Sequence, residues 1–280
     1  MKPTATMTML LTRSVKRPAR SFLLVALFLA LTSCSAKRVP VVVEFSAVWD
    51  GQAITCSSSD IGLTDLRFFV SNVVLIDSKG SEHELLLTPG GRWQQENVAL
   101  IDLENGEGAC VNGTPGMNGR LSGTARTDDF NAVRFTVGVP FELNHANPLL
   151  AEPPLDDAAM HWHWRSGYKF LRAGISTPSD GFWLHLGSTG CKGTVQNISE
   201  CRSPNRVTVT VSDLAPEAHR IDLVLSELFY GIDLNDGKSG ECSSGPPELA
   251  CTEPFNALGL AFGDDTATAE MPRFVFQAVR

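Results

Sequence analysis

The sequence lacks the short motifs of the best-known enzyme classes. It has no HExxH zinc motif, no GxSxG nucleophile turn, no phosphate-binding glycine loop and no dinucleotide fingerprint. Acidic residues are plentiful, but a catalytic carboxylate pair cannot be told from a solvated surface by sequence alone. No motif therefore indicates a metalloprotease, a serine hydrolase or a nucleotide-dependent enzyme.

Basic residues are scarce outside the first 33 positions. The chain of 280 residues has 23 Lys+Arg and 31 Asp+Glu. Five of the basic residues precede Cys34, where there is no acidic residue, so 18 basic and 31 acidic residues remain after it. A chain this acidic is not expected to bind nucleic acid or an anionic membrane face by charge. With 43% hydrophobic residues it can still form one sizeable core.

Residues 1–33 have the pattern of an export signal. Basic residues precede an apolar run at 22–31, which is too short to span a bilayer. Leu31-Thr32-Ser33-Cys34 is similar to the bacterial lipoprotein cleavage pattern, in which the cysteine is lipidated and becomes the new N-terminus. Ser35 follows, and no Asp indicates inner-membrane retention, so we expect an outer-membrane lipoprotein facing the periplasm or the cell surface. The alternative is an ordinary secretory signal with an incidental cysteine.

The remaining cysteines are even in number, and the expected compartment is oxidising. Three disulfides are therefore the default. Six cysteines allow 15 pairings, and short loops favour Cys191 with Cys201 and Cys242 with Cys251, which leaves Cys56 for Cys110. The alternative is a thiolate metal site, although no CxxC pair is present.

The chain after Cys34 has the pattern of strands. Four segments are rich in β-branched and aromatic residues and partly alternate, at 39–49, 66–76, 132–139 and 206–211. Residues 220–228 fit a strand or a short helix, and no long stretch has a convincing helical period. We therefore predict an all-β protein: one domain at 34–280 that forms a single antiparallel β-sandwich or barrel with long, disulfide-pinned loops.

The segment at 160–170, MHWHWRSGYKF, combines histidine and tryptophan. In an extended conformation, alternation places His161 and His163 on one face and Trp162 and Trp164 on the other. Two imidazoles at i and i+2 can share a metal ion. The alternative is a strand that buries two tryptophans and exposes two histidines to solvent.

Four motifs in order resemble one family. They are Arg92-Trp93-Gln94 with the segment 98–104, Gly138-Val139-Pro140-Phe141 with Leu143-Asn144-His145, the segment from Trp162 to Arg172, and His185-Leu186-Gly187-Ser188-Thr189-Gly190-Cys191. Together they are similar to the MbnP family, exported copper-binding proteins found with a diheme partner related to bacterial cytochrome c peroxidases and MauG. The resemblance runs from about residue 41 to residue 263.

The resemblance implies an unusual copper site in a protein that is not itself an enzyme. In this family the diheme partner oxidises a tryptophan to kynurenine, and the product binds copper(I) with help from histidine. Trp93 lies in the family's tryptophan block and is the expected modified residue, with Trp162 and Trp164 as runners-up. His145 and His185 fall on family motifs and are the expected ligands, and His161 and His163 are secondary candidates. The expected role is copper acquisition or handling.

Two other functional classes remain open from the sequence. One is a lipoprotein binding module that recognises carbohydrate or protein through a face of tryptophan and histidine side chains. The other is a metal-dependent hydrolase, which would need an open zinc site with a general base. No feature of the sequence indicates such a zinc site.

Overall fold

The computed structural model describes residues 37–95, 97–195, 197–215, 219–234, 240–245, 248–262 and 273–279. The expected signal peptide at 1–33 and the expected lipidation site Cys34 lie outside these residues. No helix in these ranges has the length and apolar character needed to cross a membrane.

Strands make up most of the regular structure, as predicted. In chain order they are β1 (Val39–Trp49), β2 (Gln52–Ala53), β3 (Gly62–Ile76), β4 (Glu82–Glu84), β5 (Leu86–Leu87), β6 (Gln94–Gln95), β7 (Val98–Asp102), β8 (Arg120–Ala125), β9 (Ala132–Val137), β10 (His161–His163), β11 (Gly167–Ser176), β12 (Gly181–Gly187), β13 (Thr189–Thr194), β14 (Asn197–Ser203), β15 (Val207–Val211), β16 (Arg220–Val224), β17 (Gly240–Cys242) and β18 (Phe276–Ala278). The short helices are α1 (Phe141–Asn144), α2 (Leu225–Leu228) and α3 (Thr252–Ala257), with 3₁₀ turns at Pro148–Leu150 and Leu249–Cys251.

The strands form two large sheets and one hairpin. The first sheet has the order β18-β16-β1-β8-β5, with β2 paired to β1. The second has the order β15-β9-β3-β11-β12-β17; β4 and β7 also pair with β3, β6 pairs with β7, and β10 pairs with β11. Strands β13 and β14 pair only with each other. The long strand β3 therefore organises the second sheet.

The two large sheets pack face to face over an aromatic core, which makes the fold a β-sandwich rather than a barrel. In β1 every second residue from Val41 to Ala47 is buried, which is the alternation expected of a half-covered strand. Phe45 meets Phe68 and Phe135 of the second sheet edge to face, with ring centroids 5.5 and 5.7 Å apart. Such pairs stabilise the sandwich beyond their burial alone.

The second sheet is also covered on its outer face. Phe69, the neighbour of the inward-facing Phe68, belongs to a separate apolar cluster outside the sandwich core. That cluster includes residues of β7 and of the segment 139–170, which folds back over the sheet. Strand β3 is therefore buried on both faces, which explains its nearly continuous apolar sequence.

Two details differ from the expected antiparallel sandwich. Strand β1 pairs with β16 in parallel, and β12 pairs with β17 in parallel. The segment 220–228, which fitted either a strand or a helix, contains both: β16 passes directly into α2. Long connections between the paired strands permit this parallel pairing. The alternation of apolar and polar residues within a strand does not show which strand it pairs with or in which direction.

Three disulfides join Cys56 to Cys110, Cys191 to Cys201 and Cys242 to Cys251. The last two are the pairs that the short loops favoured, and the first is the pair that was then left. The first closes a loop with a sequence separation of 54 residues, whereas the other two close loops of 10 and 9. In the chain-entropy account, the longest loop contributes most to stability.

We predict that Cys56→Ala/Cys110→Ala lowers the free energy of unfolding by about 4 kcal/mol, because the unfolded chain regains a long open loop. The matched control, Cys242→Ala/Cys251→Ala, should cost about 2.5 kcal/mol because its loop is short. Both pairs are buried. Denaturant unfolding of the three proteins measures the difference, and a larger loss in the control would contradict this account.

Candidate functional site

A histidine and a tryptophan meet at the end of β12. His185 projects from the outer face of the second sheet, and Trp162 of β10 lies beside it, with ring centroids 6.5 Å apart and planes at 70°. The indole covers Gly187, where an added Cβ would lie 3.0 Å from two of its ring carbons. Glycine at this position therefore leaves room for Trp162 next to the imidazole.

The surroundings of His185 keep its imidazole neutral. Burial lowers its pKa, and the cationic side chains of Arg172 and Lys169 lower the pKa further. Glu241 of the neighbouring strand β17 acts in the opposite direction, and its Oε1 lies 3.4 Å from His185 Nδ1. A carboxylate at Nδ1 favours the tautomer with the proton on that atom, so Nε2 keeps a lone pair. This arrangement fits a metal ligand.

A row of charged residues crosses the sheet and ends at this histidine. Strand register places four residues directly opposite one another on β7, β3, β11 and β12: Asp102, Arg67, Arg172 and His185. The row lies beside the outer apolar cluster, because Phe69 is two residues from Arg67 on the same face of β3. Sequence analysis did not identify this row, since it depends on strand register.

Asp65 joins the two arginines of the row. It accepts two hydrogen bonds from Arg67, from Nε at 2.9 Å and from Nη2 at 2.8 Å. Arg172 Nη2 lies 2.6 Å from Asp65 Oδ2. Arg67 is fully buried, and the carboxylate of Glu104 is 3.9 Å from its Nη1. A buried guanidinium needs such partners, so the network joins β3 to β11 and to the residues that follow β7.

Arg172 of this row and Lys169, which is also on β11, hold the segment that leads to Trp162. Arg172 Nη1 and Lys169 Nζ both donate hydrogen bonds to the carbonyl oxygen of Ala159, at 3.1 and 3.0 Å. Ala159 is two residues before β10. Arg172 and Lys169, the two cations that lower the pKa of His185, thus also hold the residues that lead into β10, the strand that carries Trp162.

Trp93 lies elsewhere on the outer face. It is half-buried, precedes β6 and packs against the outer apolar cluster. The Arg92 guanidinium lies 4.7 Å from its ring centroid, and the ring edge approaches Gly116. Among the described residues, no ring contact joins Trp93 to a histidine. The described contacts of Trp93 are therefore packing against this cluster and a cation–π contact with Arg92.

His145 occupies a different environment from His185. It follows α1, where Asn144 pins the β10–β11 turn by donating to Ser166 O at 2.9 Å and accepting from Tyr168 N at 2.8 Å. His145 Nε2 lies 3.4 Å from the sulfur of Cys201, and its buried Nδ1 has no hydrogen-bond partner among the described residues. Among the residues that the structure describes, neither a ring contact nor a hydrogen bond links His145 to His185.

The histidines of β10 are separated by a register irregularity. His161 packs against the ring of Tyr168 with centroids 5.3 Å apart. His163 is exposed; its Nδ1 accepts a hydrogen bond from Arg165 N at 3.3 Å, and its ring lies 5.4 Å from that of Trp164. Among the described tryptophan and histidine candidates, a ring contact thus pairs Trp162 with His185 across two different strands.

Asp102 makes the stability of the folded protein depend on pH. Burial, and then the carboxylate of Glu104, raises the pKa of Asp102 to about 7. The folded protein therefore holds this proton more tightly than the unfolded chain, whose carboxyl has an ordinary pKa near 4. This contribution to stability is complete below about pH 4 and is lost as the pH rises to about 7.

We predict that Asp102→Asn removes this dependence because the amide cannot ionise. The free energy of unfolding of the native protein, relative to that of the variant, should fall by on the order of 3 kcal/mol from pH 4 to pH 7. Denaturant unfolding of both proteins at a series of pH values measures this difference in the free energy of unfolding. The histidines titrate in both proteins, so their contribution cancels. Parallel pH profiles would show that Asp102 is ionised in the fold.

Comparison with known proteins agrees with this architecture. The family model described as MbnP matches residues 38–244. The structure is similar to MbnP from Methylosinus trichosporium, with 28% sequence identity and a TM-score of 0.72, over 86% of this chain and 98% of that one. No match is found among curated protein sequences. The family model spans most of the chain and includes both Trp162 and His185, so the chain belongs to the MbnP family.

Proposed function

We propose that this chain is an exported, lipid-anchored copper-binding protein whose tryptophan is oxidised to kynurenine by a diheme partner. Its role is in copper acquisition or handling, and it acts as the substrate of that partner rather than as an enzyme. Membership of the MbnP family and the contact between Trp162 and His185 support this function.

The contact between Trp162 and His185 is the observation that carries the proposal. We assign the modification to Trp162 rather than to Trp93, which the sequence resemblance favoured, because only Trp162 of these two contacts a described histidine from another strand. Opening the indole would give an aromatic amine and a ketone beside the imidazole. Neither group is present in an encoded side chain at this position.

The oxidation needs no cofactor in this chain. Two oxygen atoms add across the C2–C3 bond of the indole, which breaks, and hydrolysis of the resulting formamide releases formate and leaves kynurenine. Two equivalents of hydrogen peroxide balance the first step, with two waters as the second product. The haems of the partner supply the oxidising centre, and the half-buried Trp162 supplies the electrons.

The residues around His185 prepare it to hold copper(I). His185 Nε2 is the candidate ligand atom, and Glu241 orients the ring through Nδ1. Arg172 and Lys169 oppose protonation of the imidazole, which would remove the lone pair. Copper(I) prefers soft ligands, but the six described cysteines are all in disulfides, and the encoded ligand at this site is the imidazole of His185.

A binding module for carbohydrate is less consistent with the tryptophan surfaces. Stacking on a sugar requires a free indole face. The Arg165 guanidinium lies 4.8 Å from the ring centroid of Trp164, and Arg92 covers Trp93 in the same way. Two of the half-buried indoles therefore already have a cationic partner, which favours the copper site over the Trp/His recognition face.

Peptide-mapping mass spectrometry tests the modification. In protein co-expressed with its diheme partner, we predict that the peptide containing Trp162 changes in mass by the exchange of one carbon for one oxygen. The peptide containing Trp93 should keep its encoded mass, as should both peptides when the partner is left out. Modification of Trp93 with an intact Trp162 would move the site, and five intact indoles would refute the proposal.

Copper(I) titration of the modified protein tests the ligand. We predict that His185→Ala abolishes high-affinity binding and that Glu241→Gln weakens it about tenfold, because the ring loses its orienting partner. His163→Ala is the matched control, since this exposed histidine lies on β10, the strand that carries Trp162, and it should bind copper(I) as the native protein does. Competition with a chromophoric copper(I) chelator gives the affinities. Native affinity in His185→Ala would exclude this site.

A further inference from the structure

A second group of potential metal ligands does not include His185. Cys191 and Cys201 are directly opposite on β13 and β14, and His145 approaches them from the end of α1. His145 Nε2 is 3.4 Å from Cys201 Sγ, and one ligand atom from each residue lies within 4.8 Å of the other two. With the sulfurs bonded to each other, this group offers no thiolate.

This disulfide is the most accessible of the three. Cys201 is half-buried, whereas both cysteines of each other pair are less than 5% exposed. Strands β13 and β14 form their own two-stranded sheet, so opening the bond leaves the hydrogen bonds of the two large sheets intact. Because thiol–disulfide exchange requires access to a sulfur, a reductant should reach the Cys191–Cys201 bond first.

We propose that the Cys191–Cys201 disulfide closes a redox-gated metal site. When an external dithiol reduces the bond, the two cysteine sulfurs and His145 Nε2 together bind one copper(I) ion. This site is separate from the one at His185 and does not depend on kynurenine.

The chemistry balances in two steps. The dithiol gives two electrons and two protons to the disulfide, which becomes two thiols, and the dithiol becomes a disulfide. Binding then releases both thiol protons, because the thiolate is the form that ligates a metal. Two thiolates and an imidazole are soft and borderline donors, a combination that selects copper(I) over hard cations.

The surroundings suit such a site. Metal–sulfur bonds of about 2.3 Å require the two sulfurs to separate to about 4 Å. A cleft of about 240 Å³ lined by Phe141, Asn144 and Cys201, among others, borders the bond and gives the half-buried sulfur space to turn.

The test compares copper(I) uptake before and after mild reduction. The purified exported protein is treated with a dithiol until alkylation and peptide mapping show that only Cys191 and Cys201 are free, and the dithiol is then removed. Titration with copper(I) against a chromophoric chelator should show one more bound equivalent than in the oxidised protein. A near-ultraviolet thiolate-to-copper absorption band should rise in proportion.

Variants separate this site from the one at His185. Cys191→Ser/Cys201→Ser should lose the extra equivalent and its absorption band, and His145→Ala should lower the affinity of the reduced protein at least tenfold. Reduced His185→Ala should keep both signals, so the failure of one site is distinguishable from that of the other. Circular dichroism checks that each variant is folded.

Two copper(I) titration results would overturn the proposal. One is a reduced protein, with both thiols free by alkylation, that takes up no additional copper(I). The other is a folded His145→Ala variant with native affinity at the reduced site. Reduction of a buried disulfide before Cys191–Cys201 would also contradict the proposal, because the proposal requires the reductant to reach the Cys191–Cys201 disulfide first.

Discussion

The fully buried guanidinium of Arg67 is the constraint on which the second sheet and its site depend. A charge in this position must be paired, and Asp65 pairs it on one side while binding Arg172 on the other. Arg172 in turn holds the carbonyl of Ala159 and lowers the pKa of His185. One buried ion network therefore joins β3 to β11, positions the segment that carries Trp162 and helps to keep the imidazole of His185 neutral.

The local pattern of apolar residues and cysteines in the sequence predicted most of the fold. The alternation of Val41, Val43 and Phe45 in β1 is the result of one covered face, and short loops between cysteines indicated the disulfides. The parallel pairing of β1 with β16 was not accessible in this way, because it joins residues more than 170 positions apart. Strand β3 is buried on both faces, so its sequence identifies a strand but not its neighbours.

The site was only partly visible in the sequence. Trp162 and His185 were both candidates, but resemblance ranked Trp93 above Trp162, and no sequence feature revealed which indole has an imidazole beside it. Gly187 was the one available signal, since a glycine two residues after a strand histidine can make room for a ring. Glu241 gave no signal, because β17 reaches His185 only through a parallel pairing between distant segments.

In the proposed function, copper binds at the end of β12, where Trp162 and His185 meet on the outer face of the sheet. An anomalous difference map from crystals of the copper-loaded protein, collected at the copper absorption edge, tests this claim most directly. We expect a peak within bonding distance of His185 Nε2 and beside a ring-opened residue 162. A peak beside residue 93, with none at His185, would contradict it.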